Sequence, residues 1–96
     1  MKGATMTKVK GDKKDKKVVL YALSTCGWCR RTKDLLNRGK VEYEYCDVDE
    51  LTGEEKRKVM ADVARLNPHG SFPTIVISGD VVVGFDEEQI KKLLGL

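Results

Sequence analysis

The sequence has no apolar run approaching the ~20 residues a membrane span requires. It also has no apolar segment near its start of the kind that centres a secretory signal. Neither a membrane nor an exported location is expected, and the cytoplasm is the expected compartment. Cysteine is scarce. Cys26, Cys29 and Cys46 form an odd set, which argues against a scaffold of structural disulfides. Histidine is scarcer, with His69 alone. A structural zinc site normally takes four ligands. Beyond the Cys26/Cys29 pair only Cys46 and His69 are candidates, and they are not spaced as a ligand pair, so no metal site is expected.

The chain of 96 residues is one domain's worth, and its 41% hydrophobic content suffices for one core. Its net charge of +3 is unevenly spread. Lys2, Lys8, Lys10, Lys13, Lys14, Lys16 and Lys17 crowd the first seventeen residues against Asp12 and Asp15, leaving the remainder slightly acidic. A nucleic-acid binder places basic charge as a stripe on its folded surface, so nucleic acid is not an expected partner. Residues 1–16 lack periodicity and read as a flexible lysine-rich extension, with a short extended piece near Thr7–Lys10; residues 17–96 form the domain.

Within that domain the apolar run Val18–Ala22 predicts a buried strand. A helix follows over about residues 27–38, with Trp28, Cys29, Thr32, Leu35 and Leu36 at the spacing of one buried face. Gly39 is placed to end it in a left-handed cap. Period-two alternation over Val41–Tyr45 marks a half-buried strand. Thr52-Gly53-Glu54-Glu55 reads as a capping box, opening a helix with Val59, Met60, Val63 and Leu66 on its inner stripe. Thr74–Ile77 and Val81–Val83, joined by Ser78-Gly79-Asp80, form a hairpin. Asp86 caps a last helix whose Ile90, Leu93 and Leu94 face inward. The order predicts an α/β fold: a four-stranded mixed sheet flanked by three helices on both faces.

The chemistry concentrates in Cys26-Gly27-Trp28-Cys29. At the first turn of a helix, unpaired amides and the helix dipole stabilise a thiolate. Cys26 is therefore the expected attacking thiol. Cys29, three residues on and one turn deeper, is the expected resolving thiol. Arg30 and Arg31 add positive charge nearby. A lone C-x-x-C pair also resembles half a zinc site, but its place between a buried strand and a helix favours a thioredoxin-like redox motif.

With the dithiol, the element order and Phe72-Pro73-Thr74 in view, residues 17–96 resemble the glutaredoxins. The matching pieces are Tyr21–Cys29, Val41–Asp49, Phe72-Pro73-Thr74 and Val83-Gly84-Phe85-Asp86. The ending Val83–Glu88 is more similar to the glutaredoxin-like redoxins of anaerobic bacteria and archaea. The resemblance implies a thioredoxin-like fold and a thiol–disulfide oxidoreductase with disulfide-containing proteins as substrates. It implies that Pro73 is cis and faces Cys26, where the Phe72 backbone can pair with a substrate segment. The implied substrate-binding set is Thr25, Gly27, Trp28, Phe72, Pro73, Thr74, Gly84, Phe85 and Asp86.

Three departures bear on cofactor and donor. Leu23 stands where the family commonly has a lysine that holds a glutathione carboxylate, and the usual paired glycines are reduced to Gly84-Phe85. Glutathione is thus expected to bind weakly. A protein disulfide reductase, whether thioredoxin reductase or a ferredoxin-linked enzyme, is the more natural electron donor, and no cofactor is required. Gly27 replaces the usual proline after the first cysteine. In some glutaredoxins that change accompanies a [2Fe-2S] cluster bridging two monomers, which is the alternative to a monomeric enzyme. Some residues keep two readings: Trp28 as substrate contact or packing, Asp86 as glutamyl ligand or helix cap. Cys46 reads as a buried inert thiol and His69 as an exposed loop residue.

Overall fold

The computed structural model describes residues 6–96. Strand β1 (Thr7–Val9) and strand β2 (Val18–Ala22) precede helix α1 (Gly27–Arg38). Strand β3 (Tyr43–Asp47) ends in a single 3₁₀ turn, Val48–Glu50, before helix α2 (Gly53–Leu66). The hairpin β4 (Thr74–Ile77) and β5 (Asp80–Val83) leads into helix α3 (Glu87–Leu94). The sheet runs β1-β3-β2-β4-β5, with β2 and β3 parallel and the other neighbours antiparallel. Crossover helix α1 joins the parallel pair, and a two-residue turn joins β4 to β5. Ser78 (φ 47°) and Gly79 (φ 91°) both take the positive φ such a turn demands.

Alternation along the strands divides the core between two faces. Leu20, Ala22, Tyr43, Ile75, Ile77 and Val82 point to one face and pack with Cys29, Leu35 and Leu36 of α1 and Ile90 and Leu94 of α3. Cys46 points to the other and packs with Val48 and with Val59 and Val63 of α2, flanked by Tyr21 and Leu23. The sheet therefore separates Cys46 from Cys29.

The sheet has five strands where the sequence predicts four. Residues 1–5 of the lysine-rich extension lie outside the described residues, but Thr7–Val9 pair antiparallel with Tyr43–Tyr45. The stretch read as flexible through residue 16 is thus stitched to the sheet. Gly11 makes this feasible: a Cβ there would lie 2.5 Å from the Lys40 carbonyl oxygen and 2.6 Å from the Val41 carbonyl carbon. Lys13 then exchanges backbone hydrogen bonds with Lys40 and Glu42 at 2.9 Å.

Local expectations were also revised by packing. Gly39 is not left-handed (φ −82°); Lys40 (φ 54°) makes that turn. Gly39 instead yields room to the C-terminal residue, since a Cβ on it would meet Leu96 Cδ1 at 3.0 Å. The Thr52 side chain makes no capping bond. Gly53 enters the helix with φ 58°, which carries the chain away from capping-box geometry. Met60 is 37% exposed rather than buried, because α2 turns only Val59 and Val63 fully inward.

Candidate active site

Strand β2 ends at Ala22, and residues 23–25 lead to the first turn of α1. Cys26 is the N-cap, with extended backbone (φ −88°, ψ 121°), and its sulfur accepts the Cys29 N–H at 3.3 Å. Its own N–H donates to the Leu23 carbonyl at 3.2 Å, and its carbonyl accepts from Arg30 N–H at 3.0 Å. Cys29 lies one turn in and is fully buried; its sulfur accepts the Leu23 N–H at 3.5 Å. Leu23 thus anchors both cysteines through its backbone, while its side chain packs on the α2 side.

The two thiols occupy opposite electrostatic settings. Partial burial pushes the Cys26 thiol up, but hydrogen bonds from the Cys29 thiol and from the Cys29 and Trp28 amides outweigh it, so its net shift is downward. Burial, reinforced by Cys26, pushes the Cys29 thiol up to about 12. All three cysteines are free thiols. Cys46 is held neutral chiefly by burial, at about 11, with the carboxylates of Asp47 and Glu55 adding to the effect.

The loop before β4 is built from residues 67–73. The Phe72–Pro73 peptide bond is cis. Asn67, which follows α2, holds this loop from inside. It is buried, and its Nδ2 donates to the Ser71 carbonyl at 3.2 Å, the Ser71 hydroxyl at 3.1 Å and the Thr74 hydroxyl at 3.2 Å. Its Oδ1 accepts the His69 N–H at 3.1 Å. Thr74 is fully buried and its hydroxyl donates to the Ser71 carbonyl at 2.8 Å. Its side chain therefore shapes the loop and is not open to a ligand. The Gly84 N–H donates to the Pro73 carbonyl at 2.8 Å, which ties this loop to the end of β5.

Residues 84–86 turn back toward the dithiol. Gly84 has φ 81°, a conformation L side chains rarely adopt. Phe85 stacks on Trp28, centroids 5.8 Å apart at 24°, and the Arg31 guanidinium lies 5.0 Å from the Trp28 ring centre. Trp28 remains 56% exposed, so it forms a surface platform rather than core. Asp86 accepts the Gln89 N–H at 3.2 Å, so the cap reading holds for it. Thr25 and Gly27 are exposed beside Cys26, and apart from its chain neighbours and its own helix backbone nothing lies within 4 Å of a Cβ built on Gly27. Phe72 is half-buried between the two core layers.

Two features of this region were not read from the sequence. Asn67 lies just past a helix end, where an asparagine is a frequent bridge to nearby backbone. Asp49 accepts both the N–H and the hydroxyl of Ser24, the former at 2.8 Å, and these bonds hold its carboxyl below the usual range. The β2–α1 loop is thereby pinned to the turn after β3. Among the described residues no group of three or more His, Cys, Asp or Glu is arranged to hold a metal ion.

A buried thiol one helical turn behind an N-cap thiol is the arrangement of a redox dithiol. The family model for glutaredoxin matches residues 18–82. This chain belongs to the glutaredoxin family. A probable glutaredoxin from Synechocystis is 41% identical over 73 residues, covering 74% of this chain and 76% of that one. Among solved structures, methanoredoxin from Methanosarcina acetivorans is 45% identical with a TM-score of 0.82, covering 86% of this chain and 88% of that one. A glutaredoxin from Methanosarcina mazei is 41% identical with a TM-score of 0.85, covering 96% and 89%. The thioredoxin-like fold expected from the resemblance is thus present, with a fifth strand at its edge. No helix among the described residues is long and apolar enough to cross a membrane.

Proposed function

We propose that this glutaredoxin reduces protein disulfides by dithiol exchange through Cys26 and Cys29. The observation that carries this reading is the asymmetry of the pair: Cys26 capped and lowered at a helix start, Cys29 buried and raised to about 12. The Cys26 thiolate attacks one sulfur of a substrate disulfide, forming a mixed disulfide and releasing one substrate thiolate. Cys29 loses its proton, which ends on the departing substrate sulfur, and attacks the Cys26 sulfur. The Cys26–Cys29 disulfide forms and the second substrate thiol leaves. A dithiol donor returns the pair to the reduced state.

The exposed Trp28 ring and the half-buried Phe85 stacked on it, with Thr25, Gly27, Gly84 and the Phe72 backbone, form the substrate surface in this reading. The free backbone beside the cis-proline suits pairing with an extended segment. Leu23 offers no cation to a glutathione carboxylate and its side chain is turned into the α2-side core, which favours a protein disulfide reductase of the cytoplasm as donor. The enzyme works as a monomer without a cofactor. The test supplies glutathione with its reductase, NADPH with thioredoxin reductase, or a ferredoxin-linked reductase, and follows reduction of insulin. Turnover with a protein reductase supports the reading; fast turnover with glutathione alone overturns the donor assignment, and no turnover of any disulfide overturns the whole.

A further inference from the structure

Cys29 presents a chemical difficulty. It must become a thiolate to attack Cys26, yet it is buried in an apolar cluster with Leu20 and Ala22 of β2, Ile75 of β4 and Ile90 of α3. With its thiol pushed up to about 12, it is held almost entirely as the thiol at neutral pH. Part of that shift is self-removing. Once Cys26 is tied up in a mixed disulfide, its charge and its hydrogen bond no longer oppose ionisation of Cys29. What remains is the desolvation of the site, against two groups that favour the anion: the Leu23 amide and the ammonium of Lys33.

Lys33 is unusually well placed for a lysine. It stands four residues after Cys29 on α1, hence on the same helix face. Its Nζ donates to both carboxylate oxygens of Asp47 at the end of β3, at 3.1 and 3.4 Å, and lies 4.1 Å from the Tyr45 ring centre. Its side chain is 23% exposed and that of Asp47 13%. A lysine on a surface samples many rotamers in water; this one is held by a carboxylate and an aromatic face. Its charge is correspondingly less screened by water than that of an exposed side chain, and the Asp47 carboxylate offsets only part of it. The other groups of the neighbouring elements are accounted for: the Tyr43 hydroxyl donates to Asn37 Oδ1 at 3.1 Å, and Cys46 faces the opposite side of the sheet.

We propose that Lys33, fixed by Asp47 and Tyr45, is a positioning residue that holds a cation one turn from Cys29 and thereby favours the thiolate that resolves the mixed disulfide. The proposal rests on the exchange reading above and assigns the pair to its second step only. Lys33 forms no bond to substrate; it acts through Cys29.

The test uses 5,5′-dithiobis(2-nitrobenzoate) in stopped flow with the full reduced chain. Attack by Cys26 releases one thionitrobenzoate in a first phase. Attack by Cys29 on the Cys26 mixed disulfide releases a second in a later phase, identified by its loss in Cys29→Ser. In Lys33→Met the second phase is expected to slow by about three- to tenfold at neutral pH and to move its inflection to higher pH, with the first phase within about twofold. Lys33→Arg, which keeps the charge, is expected to retain the second phase within about twofold. Should Lys33→Met strand the Asp47 carboxylate and fail to fold, the double variant Lys33→Met with Asp47→Asn removes both charges and is expected to move the second phase in the same direction, by less. An unmoved second phase, an equal fall of both phases, or an arginine variant as slow as the methionine one overturns the proposal. Absence of any second phase in the unaltered protein instead overturns the exchange reading on which it rests.

Discussion

Asn67 Nδ2 donates to the Thr74 hydroxyl at 3.2 Å, within a set of bonds that clasps both ends of the segment carrying the cis Phe72–Pro73 peptide. Both residues are buried. The cis-proline loop is therefore shaped from beneath by a buried amide. Asn67→Ala leaves the Ser71 carbonyl and the Thr74 hydroxyl with fewer partners. It is expected to cost about 1–3 kcal/mol of stability, read from urea unfolding. A variant as stable as the parent would show that the clasp is dispensable.

The opposed settings of the two cysteines predict distinct variant behaviour. Cys26→Ser is expected to abolish reduction of any disulfide. Cys29→Ser is expected to accumulate mixed disulfides with protein substrates, visible as shifted bands on non-reducing gels. Full activity of Cys29→Ser on proteins would assign resolution to another thiol.

Alkylation by iodoacetamide reports the thiolate at Cys26. Because its net shift is downward, the rate is expected to plateau at lower pH than for a free cysteine, whose inflection lies near ~8.5. An inflection at or above that value contradicts the N-cap assignment.

Stability should also fall on the alkaline side. Cys29 and Cys46 are raised, to about 12 and about 11, so the folded state keeps protons that the unfolded chain releases above ~8.5. Their contribution is complete below the unfolded value and is lost as pH rises through the folded values. Denaturant midpoints of the reduced protein are expected to decline between about pH 9 and 11. Cys46→Val is expected to make that decline shallower; an unchanged slope would mean Cys46 stays neutral on unfolding or ionises when folded.

Trp28 and Phe85 form the stacked platform beside Cys26. Phe85→Ala is expected to raise KM for a protein disulfide several-fold while leaving the reaction with a small disulfide within about twofold. Equal losses on both substrates would place the pair in the folding of the site and not in recognition. Anaerobic purification is expected to yield a colourless monomer; a brown dimer with visible absorbance would favour the cluster-bridged alternative.

Much of this architecture is written locally. Apolar periodicity located α1 over its observed span, Gly27–Arg38, and the β-branched runs around Ser78-Gly79 gave the hairpin, because backbone turns and helix starts depend on residues a few positions apart. The same locality makes Cys26 and Cys29 unequal, because one is an N-cap and the other lies one turn into the helix. The sequence by itself thus determined the dithiol, the order of the elements and the family likeness. The tertiary structure alone decided what surrounds them. Strand β1, the Asn67 clasp, the Pro73–Gly84 bond, the seat of Gly39 against Leu96 and the Lys33–Asp47 pair all join segments brought together by sheet register and helix docking. Pairings of that kind leave no periodic trace along the chain, because each partner's choice of residue is constrained only once the other has arrived.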